Sequence, residues 1–161
     1  MVDQGVSGAE LTGRGGLFVN AYLHALDKKR RLIIPSDWRE NVGAPPRIFV
    51  LPAGRRKCLL CYPERDMNRR IERVRSLPLE RPEDRIMART ILASMSDLVP
   101  WDAQGRIRIK DELLAHAGLD TEAKLVGSFE GFEIWNPEAW TQARGAVDAQ
   151  RLLQATEALD E

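Results

Sequence analysis

The apolar positions of the chain fall into short clusters separated by polar turns. Leu17 to Leu26 reads as a strand, with Phe18, Val19 and Tyr22 favouring extended backbone. Five polar residues, Asp27 to Arg31, interrupt it before a second short strand, Leu32-Ile33-Ile34. Pro35 and Ser36 open a helix with Ser36 as its N-cap, and Gly43 stops it in the left-handed conformation. Ile48–Leu51 and Cys58–Tyr62 read as two more strands, joined by the basic turn Gly54-Arg55-Arg56-Lys57. The same order then returns. Asp97–Trp101 is a strand and Asp102–Arg106 a polar turn. Arg106-Ile107-Arg108-Ile109-Lys110 alternates strictly, placing its cations on one face and its isoleucines on the other. Asp111 is the expected cap of a helix to Ala117, Gly118 its stop, and Leu125-Val126 and Phe132–Trp135 the last strands.

The recurrence has a fixed offset. Asp27 and Arg31 match Asp102 and Arg106 at 75 residues, as Ser36 matches Asp111 and Gly43 matches Gly118. Pro63-Glu64 matches Pro137-Glu138 at 74. The chain therefore divides into a Gly-rich, disordered extension (1–15), a first repeat (16–63), a connector (64–96), a second repeat (97–144) and a tail (145–161). In the connector, Met67, Ile71 and Val74 recur at helical spacing, as do Met87, Ile91 and Met95. Pro78 and Pro82 bracket a turn between them, so a helical hairpin is expected. The tail predicts a helix with Val147, Leu152 and Leu159 available for packing. The fold class is α+β, with two related β-rich units in pseudo-two-fold arrangement.

Composition changes this picture little. With 43% hydrophobic and 30% charged residues among 161, an ordinary packed core is expected. No apolar run reaches the ~20 residues of a membrane-spanning helix, and the N-terminus lacks a signal-peptide pattern, which points to the cytoplasm. The zero net charge hides a split. Residues 1–75 hold 15 Lys and Arg against 8 Asp and Glu, a net +7, and residues 76–161 balance this at −7. Such asymmetry suits a polyanion-binding half, or surfaces that attract each other in an oligomer. Cys58 and Cys61 have CxxC spacing, but in a strand they point to opposite faces and act as small core residues. His24 and His116 read as structural. No metal set, cofactor motif, Gly-rich phosphate loop or nucleophile–base arrangement stands out, so neither an enzyme nor a small-molecule binder is expected.

The twofold strand–DxxxR–strand–short helix–strand–strand unit resembles the MraZ family. The resemblance rests on His24-Ala-Leu-Asp27 through Arg31-Leu-Ile-Ile-Pro35, on Cys58-Leu-Leu-Cys-Tyr-Pro63, and on Asp102-Ala-Gln-Gly-Arg106. Ala117-Gly-Leu119, Leu125-Val-Gly-Ser-Phe129 and Phe132-Glu-Ile-Trp135 complete it. It implies tandem AbrB-like (SpoVT–AbrB) swapped-hairpin β-barrel units. It further implies a nucleoid-associated transcriptional regulator of the division and cell-wall gene cluster, acting as an autorepressor. Partners implied are double-stranded promoter DNA bearing G-containing direct repeats, and further copies of the chain in an octamer-like ring. The positions carried over are Asp27, Lys29 and Arg31 in the first loop and Asp102 and Arg106 in the second. The first loop departs from the family's usual Asp-x-Lys-Gly-Arg, since Arg30 stands where glycine is usual. Keeping a left-handed turn there costs about 1 kcal/mol. The alternatives are an AbrB-like antitoxin, or an oligomeric assembly protein with no specific DNA target.

The residue types suit DNA. Lys28, Lys29, Arg30 and Arg31 put four cations on one turn, able to span neighbouring phosphates. Arginine presents parallel donors that match O6 and N7 of guanine, which assigns Arg31, Arg106 and Arg108 to the interface. Asp27, Asp102 and Gly105 are expected to set loop geometry, the aspartates by accepting backbone N–H groups or holding their own arginines. Arg55, Arg56 and Lys57 read as a solvated turn. The arginine face of 64–75 suits either an acidic neighbour or flanking DNA.

Overall fold

A computed structural model describes residues 16–43, 47–76, 78 and 80–160. The expectation of disorder over 1–15 lies outside these residues. The strands are β1 (Ala21–Ala25), β2 (Arg31–Ile33), β3 (Arg47–Pro52), β4 (Cys58–Pro63), β5 (Asp97–Pro100), β6 (Arg106–Arg108), β7 (Glu122–Gly127) and β8 (Phe132–Trp135). The α-helices are α1 (Ser36–Val42), α2 (Met67–Arg75), α3 (Pro82–Met95), α4 (Asp111–Ala117), α5 (Pro137–Gly145) and α6 (Ala149–Glu157).

Six strands form an antiparallel sheet in the order β1-β7-β8-β4-β3-β5, and β2 pairs with β6 in a two-stranded ribbon. That order is a palindrome of the repeat. Exchanging first-repeat strands for their second-repeat counterparts reverses it onto itself. The first strand of each repeat pairs with the third strand of the other, β1 with β7 and β5 with β3. The central pair, β4 with β8, also joins the repeats. Neither repeat therefore completes its own sheet.

Strand alternation decides which faces pack. Ile48, Val50, Leu59, Cys61, Leu125 and Ile134 point into one large core, with Leu32 and Ile107 of the ribbon and Trp38 and Leu113 of α1 and α4. Trp38 is fully buried among Phe18, Tyr22 and Phe132, with ring centroids 5.1–5.4 Å away. Its Nε1–H donates to the Val19 carbonyl at 2.6 Å. The opposite sheet face holds a smaller cluster of Ala53, Cys58, Val126 and Trp135, covered by Trp140 of α5. Cys58 and Cys61 are buried in different clusters. Burial pushes the Cys58 thiol up to about 12 and the Cys61 thiol well above its usual value, so neither supplies a thiolate at neutral pH.

Several sequence expectations shift. Ser36 and Asp111 are not N-caps. Each is the first helical residue, behind Pro35 and Lys110, and neither cap makes a side-chain hydrogen bond. The helix stops stand, with Gly43 and Gly118 left-handed at φ 77° and 62°. The strand expected over 17–26 shortens to Ala21–Ala25, flanked by single bridges at Phe18 and Leu26. Lys110 does not join the outward cations, because its Nζ–H donates to the Ser94 and Ser96 carbonyls at the end of α3. Helix α5 spans the 144/145 boundary drawn from sequence. No helix among the described residues is long and apolar enough to cross a membrane.

Candidate nucleic-acid interface

Each DxxxR segment closes one tight turn, and the two turns are built the same way. Asp27 Oδ1 accepts the N–H groups of Lys29 (2.9 Å) and Arg31 (2.8 Å), while Oδ2 accepts Arg31 Nε–H at 2.8 Å. Asp102 Oδ1 accepts the N–H groups of Gln104 and Arg106, both at 2.9 Å, and Oδ2 accepts Arg106 Nε–H at 2.9 Å. In each turn the fourth residue donates its N–H to the aspartate carbonyl at 2.9 Å. The spacing follows from this geometry. An Asx turn needs the carboxylate two and four residues before its N–H donors, and the arginine must follow the turn to fold back onto it.

These bonds hold both carboxyls below the ordinary aspartate value. The arginine N–H at the end of each loop is the largest cause, and it helps outweigh a smaller opposing effect of desolvation. A carboxyl lowered in the fold stabilises it above the unfolded value, and this contribution is lost as pH falls through the folded value. Carboxyl NMR titration of Asp27 and Asp102 is expected to give midpoints below the ~3.9 of a free aspartate. A midpoint at or above that value would contradict the loop geometry.

The ribbon carries the two turns at opposite ends. Arg31 pairs with Arg108, Leu32 with Ile107 and Ile33 with Arg106. Leu32 and Ile107 are fully buried, so alternation turns the other four side chains away from the core. Bonds beyond the ladder, from Ile34 N–H to Gly105 O and from Ile109 N–H to Arg30 O (both 2.9 Å), fix each turn to the other repeat. Asp27 engages only the Nε edge of Arg31, and the two terminal nitrogens make no hydrogen bond among the described residues. In Arg106 one terminal nitrogen donates weakly to Gln104 Oε1 at 3.3 Å. The outward face thus displays three arginines, two of them oriented by carboxylates, with the exposed Lys28 and Lys29 beside them.

The other basic clusters turn inward on the same chain. Arg56 pairs with Glu133 at 2.8 Å. Arg69 and Arg70 share Glu130 at 2.6 and 2.7 Å, Arg70 also lies 3.7 Å above the Tyr62 ring, and Arg65 donates to the Val42 carbonyl. Arg75 pairs with Glu72 at 2.8 Å, so four of the arginines over 64–75 are engaged within their own subunit. His116 Nε2 lies 2.8 Å from the Ala53 carbonyl, a structural contact.

Comparison with known proteins agrees with this double construction. The family model described as "MraZ protein, putative antitoxin-like" matches twice, over residues 17–90 and 94–160. The chain is 38% identical over 142 residues to the transcriptional regulator MraZ of Thermomicrobium roseum, covering 84% of this chain and 97% of the relative. It is 36% identical over 124 residues to the protein of the same name from Micrococcus luteus, covering 77% and 84%. The chain belongs to the MraZ family.

Within the MraZ pattern, Arg30 is the departure, and the structure accommodates it. Arg30 keeps the left-handed conformation at φ 63°, close to Gly105 at φ 78°. Its guanidinium pairs with Asp111 at the start of α4, a contact between repeats that offsets part of the strain. The second loop holds a cation at the matching corner by another route. A Cβ on Gly105 would collide with the guanidinium of Arg39, which reaches across from α1. A terminal nitrogen of Arg39 lies 3.4 Å from the Gln104 carbonyl, and Arg39 Nε is buried without a hydrogen-bond partner among the described residues. Sequence reasoning missed Arg39 because nothing local marks it. Gly105→Ala is expected to force Arg39 out and strain the backbone, lowering stability by about 1–3 kcal/mol in urea denaturation. An unchanged midpoint would contradict this packing.

Proposed function

We propose that this chain is a sequence-specific transcriptional regulator that reads DNA with the outward face of its β2–β6 ribbon. The observation that carries the reading is the pair of aspartate-locked turns, which hold Arg31 and Arg106 through their Nε edges and leave the terminal nitrogens facing outward, with one weak bond from Arg106 to Gln104. A two-stranded ribbon fits the major groove of B-DNA, ~12 Å wide, where an arginine fork meets O6 and N7 of guanine. With a rise of ~3.4 Å per residue and strands ~4.8 Å apart, the two arginines start roughly 8 Å from each other. That separation corresponds to about two base-pair steps. One chain therefore reads only a short element. Arg108 adds a third fork, while Lys28 and Lys29 supply phosphate contacts. Arg30, paired with Asp111, contributes field more than a direct contact.

A short element read by few contacts binds weakly. The target is accordingly assigned as G-containing direct repeats upstream of the division and cell-wall gene cluster, including the chain's own gene, with autorepression as the outcome. Several copies in an octamer-like ring, acting in the cytoplasm at the nucleoid, engage the repeats together. Linking such sites raises avidity by ~10²–10⁴. Gel-shift titration of DNA with one to four repeats tests this. Affinity is expected to climb steeply with repeat number, whereas one repeat binding as tightly as four would overturn the assembly mechanism.

A further inference from the structure

Two stretches of the apolar surface left outside the core complement each other in shape and charge. The first is a groove of about 470 Å³ between the outer face of β3 and the α2–α3 hairpin. Phe49, Leu51, Ile71 and Leu92 line it, with Arg75 and Arg89 beside them; no acidic side chain lines it among the described residues, and Arg75 pairs with Glu72 just outside it at 2.8 Å. Ile86, 57% exposed, continues the apolar surface in an adjoining cleft beside the same two arginines.

The second is α6. Every residue of this helix is exposed, including Leu152 and Leu153, and Leu159 beyond its end is 79% exposed. Leu152, Ala155 and Leu159 recur at helical spacing and share one face. A nine-residue helix is too short to persist in water without tertiary packing, so its apolar face calls for a partner. Around that face stand Asp148, Glu157 and Asp160 against the single Arg151. The repeat sharpens the point. Helices α3 and α6 are counterparts, each the second helix after a Pro-Glu step from the fourth strand. Yet α3 lies against β3, while α6 stands off its own chain.

We propose that α6 of one copy seats in the β3–α2–α3 groove of a second copy. Leu152 and Leu159 enter the apolar floor with Leu153 at its margin, and the acidic residues of α6 and its flanks face Arg75 and Arg89. This names the interface of the assembly proposed above and rests on that assembly. Donor helix and acceptor groove are different surfaces, so the contact is head-to-tail and propagates until a ring closes.

Full-length variants separate the two halves of the contact. Leu152→Asp/Leu153→Asp breaks the donor. Leu92→Glu breaks the acceptor, with Arg75→Glu/Arg89→Glu as a companion whose residues are exposed and leave folding intact. Masses are read by sedimentation velocity, and circular dichroism checks the fold. Wild type is expected to assemble, and each variant alone to sediment as an 18.2 kDa monomer. An equimolar donor–acceptor mixture should stop at a dimer, since one good helix meets one good groove. Donor variants that assemble like wild type would overturn the role of α6. Acceptor variants that assemble alone while donor variants do not would overturn the groove. A monomeric wild type would overturn the assembly itself and this interface with it.

Discussion

Arg31→Ala is expected to abolish specific binding to repeat DNA while leaving the fold intact. The two effects separate because of how Asp27 is used. Its Oδ1 accepts N–H groups of the backbone, at Lys29 and Arg31, which the substitution keeps. Only the Oδ2 contact to Arg31 Nε is lost. The turn therefore survives, and so does the β2–β6 register. What disappears is a bidentate fork worth ~1–3 kcal/mol of base discrimination per copy. Over several copies on tandem repeats that loss multiplies, leaving no specific complex in a gel shift at concentrations where wild type saturates. Circular dichroism and urea midpoint should barely change. Arg31→Lys is the informative companion. It retains the charge but not the planar fork, so it should keep non-specific DNA binding and lose preference for the repeats. Equal affinity of Arg31→Ala and wild type for repeat DNA would remove the first loop from the interface.

Trp38→Ala is expected to be the most damaging single substitution to the fold. Trp38 is the largest fully buried side chain, and it touches three other aromatic rings. Removing a buried tryptophan costs ~3–5 kcal/mol through lost transfer energy and the cavity left behind. The aromatic contacts add ~0.5–1.5 kcal/mol per pair, and the Val19 carbonyl loses its donor. Domains of this size are stable by only ~5–15 kcal/mol, so much of the margin goes. Urea denaturation checks this, with a midpoint falling by a third or more. Because Trp38 sits in the core beneath both repeats, DNA binding should fall in parallel. A midpoint within a tenth of wild type would show that the aromatic cluster does not hold the repeats together.

The parts of the fold legible in the sequence are those set by local rules. Asp27 and Arg31, repeated as Asp102 and Arg106, marked two turns because an Asx turn fixes its donors at two and four residues. Gly43 and Gly118 marked helix ends because the left-handed conformation is local. Alternation in Arg106–Lys110 identified a strand with a basic face, yet could not foresee that Lys110 would turn to the end of α3. Pairing was out of reach, since alternation says which face of a strand is buried and nothing about its neighbour. The family resemblance implies swapped hairpins, but the particular partners, β1 with β7 and β5 with β3, come from the structure. Arg39 was missed for the same reason, as it meets Gly105 across 66 positions of sequence. Helical periodicity in the connector and tail predicts packing helices, but Met87, Ile91, Leu152 and Leu159 are all more than half exposed. Their periodicity reported an apolar face correctly, and what covers that face is not a local property.

Hydroxyl-radical footprinting of the DNA upstream of the chain's own gene tests the ribbon interface most directly. Wild type should protect a set of evenly spaced short G-containing elements, with protection facing the major groove and absent for Arg31→Ala/Arg106→Ala. Protection that persists in the double variant, or no protected repeat with wild type, would contradict the assignment of the β2–β6 face as the DNA-reading surface.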